Sequence, residues 1–348
     1  MPVQWLGIAL WLGFILFILL MLALDLGVFH RHDRVIRVRE ALGWSAFWIC
    51  LALIFNVLLY FYWDDLHPFG SWGAQYTPRE AALMFLAGYV VEKALSVDNL
   101  FVILMIFSYF RTPRVYQHRV LYYGILGALV FRFIFIMLGA VILHRFFWMT
   151  IVFGLFLIYS GVKMMLVKDH EIEPEKNPVI RLFKRLVPVT QDYRGKHFFT
   201  RIDARLFATP LFVSLLVVEV SDIIFAVDSI PAIFAITHDP FLVFTSNAFA
   251  ILGLRSLYFA LDGMVQLFRF LSYGLSLILI FIGGKMLYNY VEQEVMTDWG
   301  HFPIGVSLGI IGILLAGSVA ASLLIPAPKP ASLAPEPEKQ RSLRTESE

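Results

Sequence analysis

The sequence predicts an all-α, polytopic bundle of transmembrane helices. Three observations lead there. Hydrophobic residues make up 59% of the 348 and charged residues only 16%, where soluble domains carry about 25% charged. The mean hydropathy is +0.75. The apolar residues also gather into stretches of about 20, the length a helix needs to cross a hydrocarbon core roughly 30 Å thick. An integral membrane protein with the lipid bilayer as its surroundings follows, and nothing in the composition points to nucleic acid.

About nine such stretches can be placed, at 5–29, 41–63, 79–107, 120–143, 147–167, 207–235, 244–261, 271–290 and 303–325. The first has no small-residue cleavage site after a short apolar core and is too long for a signal peptide, so it should remain as a helix. Residues 1–78 then hold two N-terminal helices, 79–167 three spans, 168–206 a basic loop, 207–291 three more spans, and 292–325 the last helix. The tail 326–348, with Pro326, Pro328, Pro330, Pro335 and Pro337 among small and charged residues, is too polar to pack and reads as disordered.

Basic residues mark one side. Arg31, Arg34, Arg37 and Arg39 follow the first span, Arg111, Arg114 and Arg119 the third, and Arg181, Arg185, Arg194, Arg201 and Arg205 lie in the long loop. The alternate loops are poor in basic residues, with Arg145 the exception. The positive-inside rule therefore puts the N-terminus outside and the C-terminus in the cytoplasm. Cys50 is the single cysteine, which excludes dithiol chemistry within one chain.

Carboxylates interrupt two of the apolar stretches. The third contains Glu92-Lys93-Ala94-Leu95-Ser96-Val97-Asp98-Asn99, and the sixth contains Glu219-Val220-Ser221-Asp222 followed by Asp228 and Ser229. A charged group at the bilayer centre costs roughly 2.5 to 3.5 kcal/mol on insertion scales, so such groups mark ion paths, proton relays or paired charges. At 100° per residue Glu92, Ser96 and Asn99 share one helix face and Asp98 leaves it; Glu219 and Asp222 are neighbours and Asp228 points elsewhere. Five acids (Glu92, Asp98, Glu219, Asp222, Asp228) stand against two deep arginines, Arg132 and Arg255. Full pairing would leave acid that must hold a cation or proton.

Supporting groups complete an oxygen-rich inventory. Asn247 supplies an amide, Ser96 and Ser229 hydroxyls, and Pro231, which cannot bond the Val227 carbonyl, should kink or open the helix beside Asp228. No cysteine or histidine lies at that depth, and hard oxygen ligands suit Mg²⁺, Ca²⁺ or Mn²⁺. Lys93 is expected to pair with a neighbouring acid. Asp25 is expected either as a gate residue or as a helix-end carboxylate paired with Arg31 or Arg34. Gly124, Gly127, Gly139, Gly283 and Gly284 should permit close helix packing.

The landmarks recur in order. Asp98 matches Asp228, Arg132 matches Arg255, and Gly161-Val162-Lys163-Met164 matches Gly283-Gly284-Lys285-Met286. Glu92 falls against Asp222, or against Glu219 if three residues are inserted. Units of three spans enter the membrane from opposite sides, so this is an expected inverted repeat, with a substrate site near the midplane between the units.

The Glu92–Asn99 stretch, the segment from Glu219 through Pro231-Ala232-Ile233-Phe234-Ala235, and Thr245-Ser246-Asn247 through Gly253-Leu254-Arg255 resemble the TerC family, most of all its Alx type. The likeness extends from Leu24 to about Ile325. It implies an inner-membrane protein of the LysE-like exporter group, linked to manganese efflux, tellurium resistance and a redox role. It also implies that Glu92, Asp98, Glu219, Asp222 and Asp228 are metal ligands. The expectation is thus a Mn²⁺ exporter in metal homeostasis, working by alternating access and coupled to protons, with no permanent cofactor and no enzymatic activity. Oxyanion handling and a membrane scaffold or redox modulator of a stress-response complex are the alternatives, with homo-oligomers or stress proteins as partners.

Overall fold

The computed structural model describes residues 2–29, 38–70, 76–166, 178–203, 205–261, 270–295 and 302–325. Its helices are α1 (Pro2–Phe29), α2 (Val38–Gly70), α3 (Pro78–Tyr109), α4 (Arg114–Arg145), α5 (Met149–Leu166), α6 (Pro178–Leu186), α7 (Pro210–Phe234), α8 (Pro240–Ile251), α9 (Leu254–Leu261), α10 (Leu271–Val295) and α11 (Ile304–Leu324). One antiparallel hairpin, β1 (Phe199–Ile202) and β2 (Arg205–Ala208), precedes α7. The chain is a polytopic helical membrane protein.

Among the described residues seven helices are long and apolar enough to cross a membrane, and α8 with α9, bent by 41° at a break, makes an eighth if the pair is one span. The third predicted span, α3, is 32 residues long but carries Glu92, Lys93 and Asp98 at its middle. Arg31, Arg34 and Arg37, the residues 167–177 at the head of the basic loop, and the tail 326–348 lie outside the described residues.

Local chemistry sets several helix starts. Pro78, Pro210 and Pro240 stand in the first turn of α3, α7 and α8, where a missing N–H costs nothing and the fixed φ suits a helix. Thr77 and Glu80 form a capping box at α3. At α8, Asp239 Oδ1 accepts from the amides of Phe241 at 2.8 Å and Leu242 at 3.1 Å, which satisfies donors that a helix start leaves open.

Helix α8 is buried along its whole length. Aromatic rings from the helices outside the expected repeat surround it: Phe14 of α1 lies 5.8 Å from Phe241, and Phe55 of α2 lies 4.8 Å from Phe249. Elsewhere α3 packs on α8, α4 on α7 and α5 along α10. With Gly161 set against Gly283, Gly154 falls against Ser276. A Cβ on Gly161 would lie 2.7 Å from the Ser276 carbonyl oxygen, and one on Gly283 would lie 2.6 Å from that of Gly154. The two close approaches are reciprocal. Gly124 and Gly139 also face close neighbours on α7, whereas Gly284 has open space around it.

Two expectations are corrected here. Pro231 does not open α7 beside Asp228; the helix continues to Phe234 and the proline sits in its last turn. The discontinuity lies instead between α8 and α9, where Gly253 adopts φ +77°, a conformation that Cβ sterics disfavour for other residues. The basic segment is also not a plain loop, since it contains α6 and the hairpin.

Candidate functional site

The predicted acids are placed in two groups. The first is built around Arg132, which is 1% exposed on α4. Its Nη1 bonds Glu92 Oε1 of α3, while Nη2 donates to Asp222 Oδ1 of α7 at 3.2 Å and Nε lies 3.4 Å from Oδ2. One guanidinium thus faces two carboxylates. Glu219, one turn before Asp222, lies against Gly127 of α4, where any Cβ would occupy the place of its carboxylate. Glu92 Oε2, Glu219 Oε2 and Ser96 Oγ are buried and have no hydrogen-bond partner. A cavity of about 30 Å³ runs beside this cluster, bordered by Asn99, Arg132, Ser221, Asp222 and Phe225. That is room for about one water-sized occupant.

Asp98 and Asp228 face a different cavity, of about 500 Å³, together with Ser160, Lys163, Ser229 and Asn99. Asn99 and Phe225 border both cavities. Each aspartate accepts a hydroxyl bond from the last helix of the other expected unit. Ser160 Oγ of α5 donates to Asp228 Oδ1 at 2.7 Å, and Ser272 Oγ of α10 donates to Asp98 Oδ1 at 2.9 Å. Ser229 Oγ, 2% exposed as a residue, has no partner. Among the described residues no three His, Cys, Asp or Glu side chains are grouped to hold a metal ion, so the five acids do not converge on one point in this conformation.

Three supporting residues have these contacts. Lys93 Nζ donates to the carbonyls of Ala250 at 3.1 Å and Leu252 at 3.4 Å. It caps the C-terminal end of α8, where carbonyls and the helix dipole favour a cation, instead of pairing with an acid. Asp25 pairs with Arg255 of α9, Oδ2 to Nη1 at 3.5 Å; Arg31 and Arg34 are outside the described residues. Asn247 is buried on α8, borders neither acid-lined cavity, and leaves Nδ2 without a partner.

The residues that sequence reasoning passed over are Ser160, Ser272, Trp48 and Gly253. The first two were visible as hydroxyls inside apolar helices. Trp48 of α2 covers Gly253, so that a Cβ there would sit 2.5 Å from its ring.

The family described as "Integral membrane protein TerC family" matches residues 77–329. The chain belongs to the TerC family. That match begins at α3 and leaves α1 and α2 outside it. Relatives within reach of the whole chain include an uncharacterized membrane protein of Myxococcus xanthus, 50% identical over 315 residues, 90% of this chain and 92% of the relative. Proteins named as candidate membrane-bound redox modulator Alx are 46% identical, in Salmonella typhi over 307 residues (88% and 91% of the two chains) and in Escherichia coli K12 over 308 (88% and 92%). No solved structure matches.

Proposed function

We propose that this TerC-family protein exports a divalent cation, Mn²⁺ foremost, from the cytoplasm across a bacterial inner membrane. One observation carries the reading: the five motif acids, Glu92 buried and Asp98, Glu219, Asp222 and Asp228 half-buried, outnumber the basic side chains beside them. Arg132 neutralises part of the Glu92–Asp222–Glu219 group, and among the described residues Lys163 at the cavity edge is the one basic side chain bordering the space beside Asp98 and Asp228. Orphan oxygens on Glu92, Glu219, Ser96 and Ser229 add unsatisfied acceptor capacity, which buried polar groups rarely keep.

In this account Asp98 and Asp228 receive the ion, with Asn99, Ser229 and waters completing an oxygen shell, and the Arg132 cluster is the adjoining gate. The pairings α3 with α8 and α4 with α7, with α5 and α10 reciprocal, support two inverted units rocking about the acids. The contact of Gly88 with Ser246 has its counterpart, to within one residue of register, in that of Gly124 with Val218, and this favours matching Glu92 with Asp222. Because carboxylates must lose protons to bind metal, protons entering from outside discharge the ion and couple export to the gradient. The choice of Mn²⁺ over Mg²⁺ or Ca²⁺ rests on the family resemblance.

The test is uptake of Mn²⁺, Mg²⁺ and Ca²⁺ into inside-out vesicles. Uptake of Mn²⁺ that collapses with the proton gradient supports the reading; folded, oriented protein that moves no divalent ion overturns it. The name of the relatives favours a second reading, a redox modulator. With Cys50 the single cysteine, exposed on α2, such a role would need partner proteins, and exchanging the acids for amides should leave it intact.

A further inference from the structure

Helix α6 has three distinct sides. Ile180 is 1% exposed and turns into the protein. The ring of Phe183 lies 5.3 Å from Phe212, in the first turn of α7. Val179, Leu182 and Leu186, spaced i, i+3 and i+7, are exposed at 46, 57 and 72%. Arg181 and Arg185 occupy the remaining arc and are exposed. The hairpin repeats the mixture: Phe199 and Leu206 are exposed apolar residues on its two strands, beside exposed Arg201 and Arg205. Phe199 also touches Phe212, at 4.5 Å, so both elements are fastened to the same point.

That point fixes their depth. The 25 residues of α7 span about 37 Å at 1.5 Å per residue, longer than a hydrocarbon core of roughly 30 Å, so its first turn lies at the headgroup layer. An exposed apolar stripe flanked by arginines at that level matches the acyl boundary and the phosphates above it. Residues 178–208 carry seven Lys and Arg against two Asp and Glu, a charge that complements anionic headgroups.

We propose that α6 and the β1–β2 hairpin form a foot that lies in the membrane interface and binds anionic lipid. Val179, Leu182 and Leu186 enter the acyl boundary, and Arg181, Arg185, Arg201 and Arg205 hold headgroup phosphates. This site is separate from the acid-lined cavities and does not depend on which ion is carried.

The experiment uses the full chain with Cys50→Ala and an environment-sensitive fluorophore on Leu182→Cys, an exposed position whose change leaves the core intact. The protein is placed in nanodiscs of phosphatidylcholine with or without phosphatidylglycerol, and quenching by brominated acyl chains is read. The expected result is a blue-shifted, strongly quenched label in the anionic discs. Adding Arg181→Gln and Arg185→Gln should lower the docked-to-undocked ratio by about tenfold or more, since each basic residue near such a surface contributes about fivefold. A label at Arg194→Cys is the aqueous control. An aqueous, unquenched Leu182 label in anionic discs overturns the proposal. So does a label that is shielded yet unquenched, which would mean that protein covers the stripe.

Discussion

Arg255 Nη1 lies 3.5 Å from Asp25 Oδ2 of α1, while Arg132, its counterpart in sequence, holds Glu92 and Asp222. The two arginines therefore do unlike work. Arg132 serves the acids of α3 and α7. Arg255 ties the broken span to α1, at a joint where Trp48 of α2 covers Gly253 and Lys93 of α3 caps α8.

Breaking either buried pair should be costly because the remaining charge loses its partner. Arg132→Met is expected to destabilise the protein by about 3 to 5 kcal/mol, read as a lowered thermal midpoint in detergent. The double variant Arg132→Met with Glu92→Gln should recover part of that loss. A double variant no more stable than the single one would contradict the assignment of Glu92 as its partner.

The break in the eighth span should be sensitive to one methyl group. Gly253→Ala combines the left-handed penalty of about 1 to 2 kcal/mol with a collision against Trp48. Gly284→Ala, with open space around it, is expected to change the melting temperature little. Equal effects of the two substitutions would remove the argument for a fixed joint.

Lys93→Met should strand the Ala250 and Leu252 carbonyls, at a cost of about 1 to 3 kcal/mol for buried groups left unsatisfied. Hydrogen exchange in Ile251 to Leu254 should then speed up before exchange elsewhere. Exchange that rises evenly along the chain would argue against a local cap.

Much of this was readable in the sequence. Each of the nine apolar stretches holds helix, because hydropathy and proline-led starts are local signals, although α2 runs seven residues past its expected end, α4 starts six residues early and the seventh stretch is two helices. The helical spacing also separated Asp98 from the Glu92 face and Asp228 from Asp222, and the structure keeps both separations. What the sequence left open depends on distant contacts. The partner of Asp25 is 230 residues away, and Lys93 bonds carbonyls, which no residue pattern encodes. Pro231 drew attention to α7, although the break lies at Gly253, a glycine visible in the chain but not read as a break. The apolar and basic arcs of α6 were hidden in a segment read only for its charge.

The two serines give a finer test of the larger cavity. Ser160→Ala and Ser272→Ala each remove one hydroxyl from a motif aspartate. With a hydrogen bond to a charged group contributing about 1.5 to 3 kcal/mol, either should alter apparent Mn²⁺ affinity by about tenfold or more while the fold persists. Unchanged affinity in both would place the ion elsewhere.

The central claim is that Asp98 and Asp228 carry a cation together. The most direct measurement is Mn²⁺ uptake into inside-out vesicles holding wild type, Asp98→Asn, Asp228→Asn or the double variant, with folding checked by size exclusion. The account predicts that each single substitution abolishes uptake and that the double variant is no worse than either. Uptake persisting at wild-type rate in both single variants would contradict it.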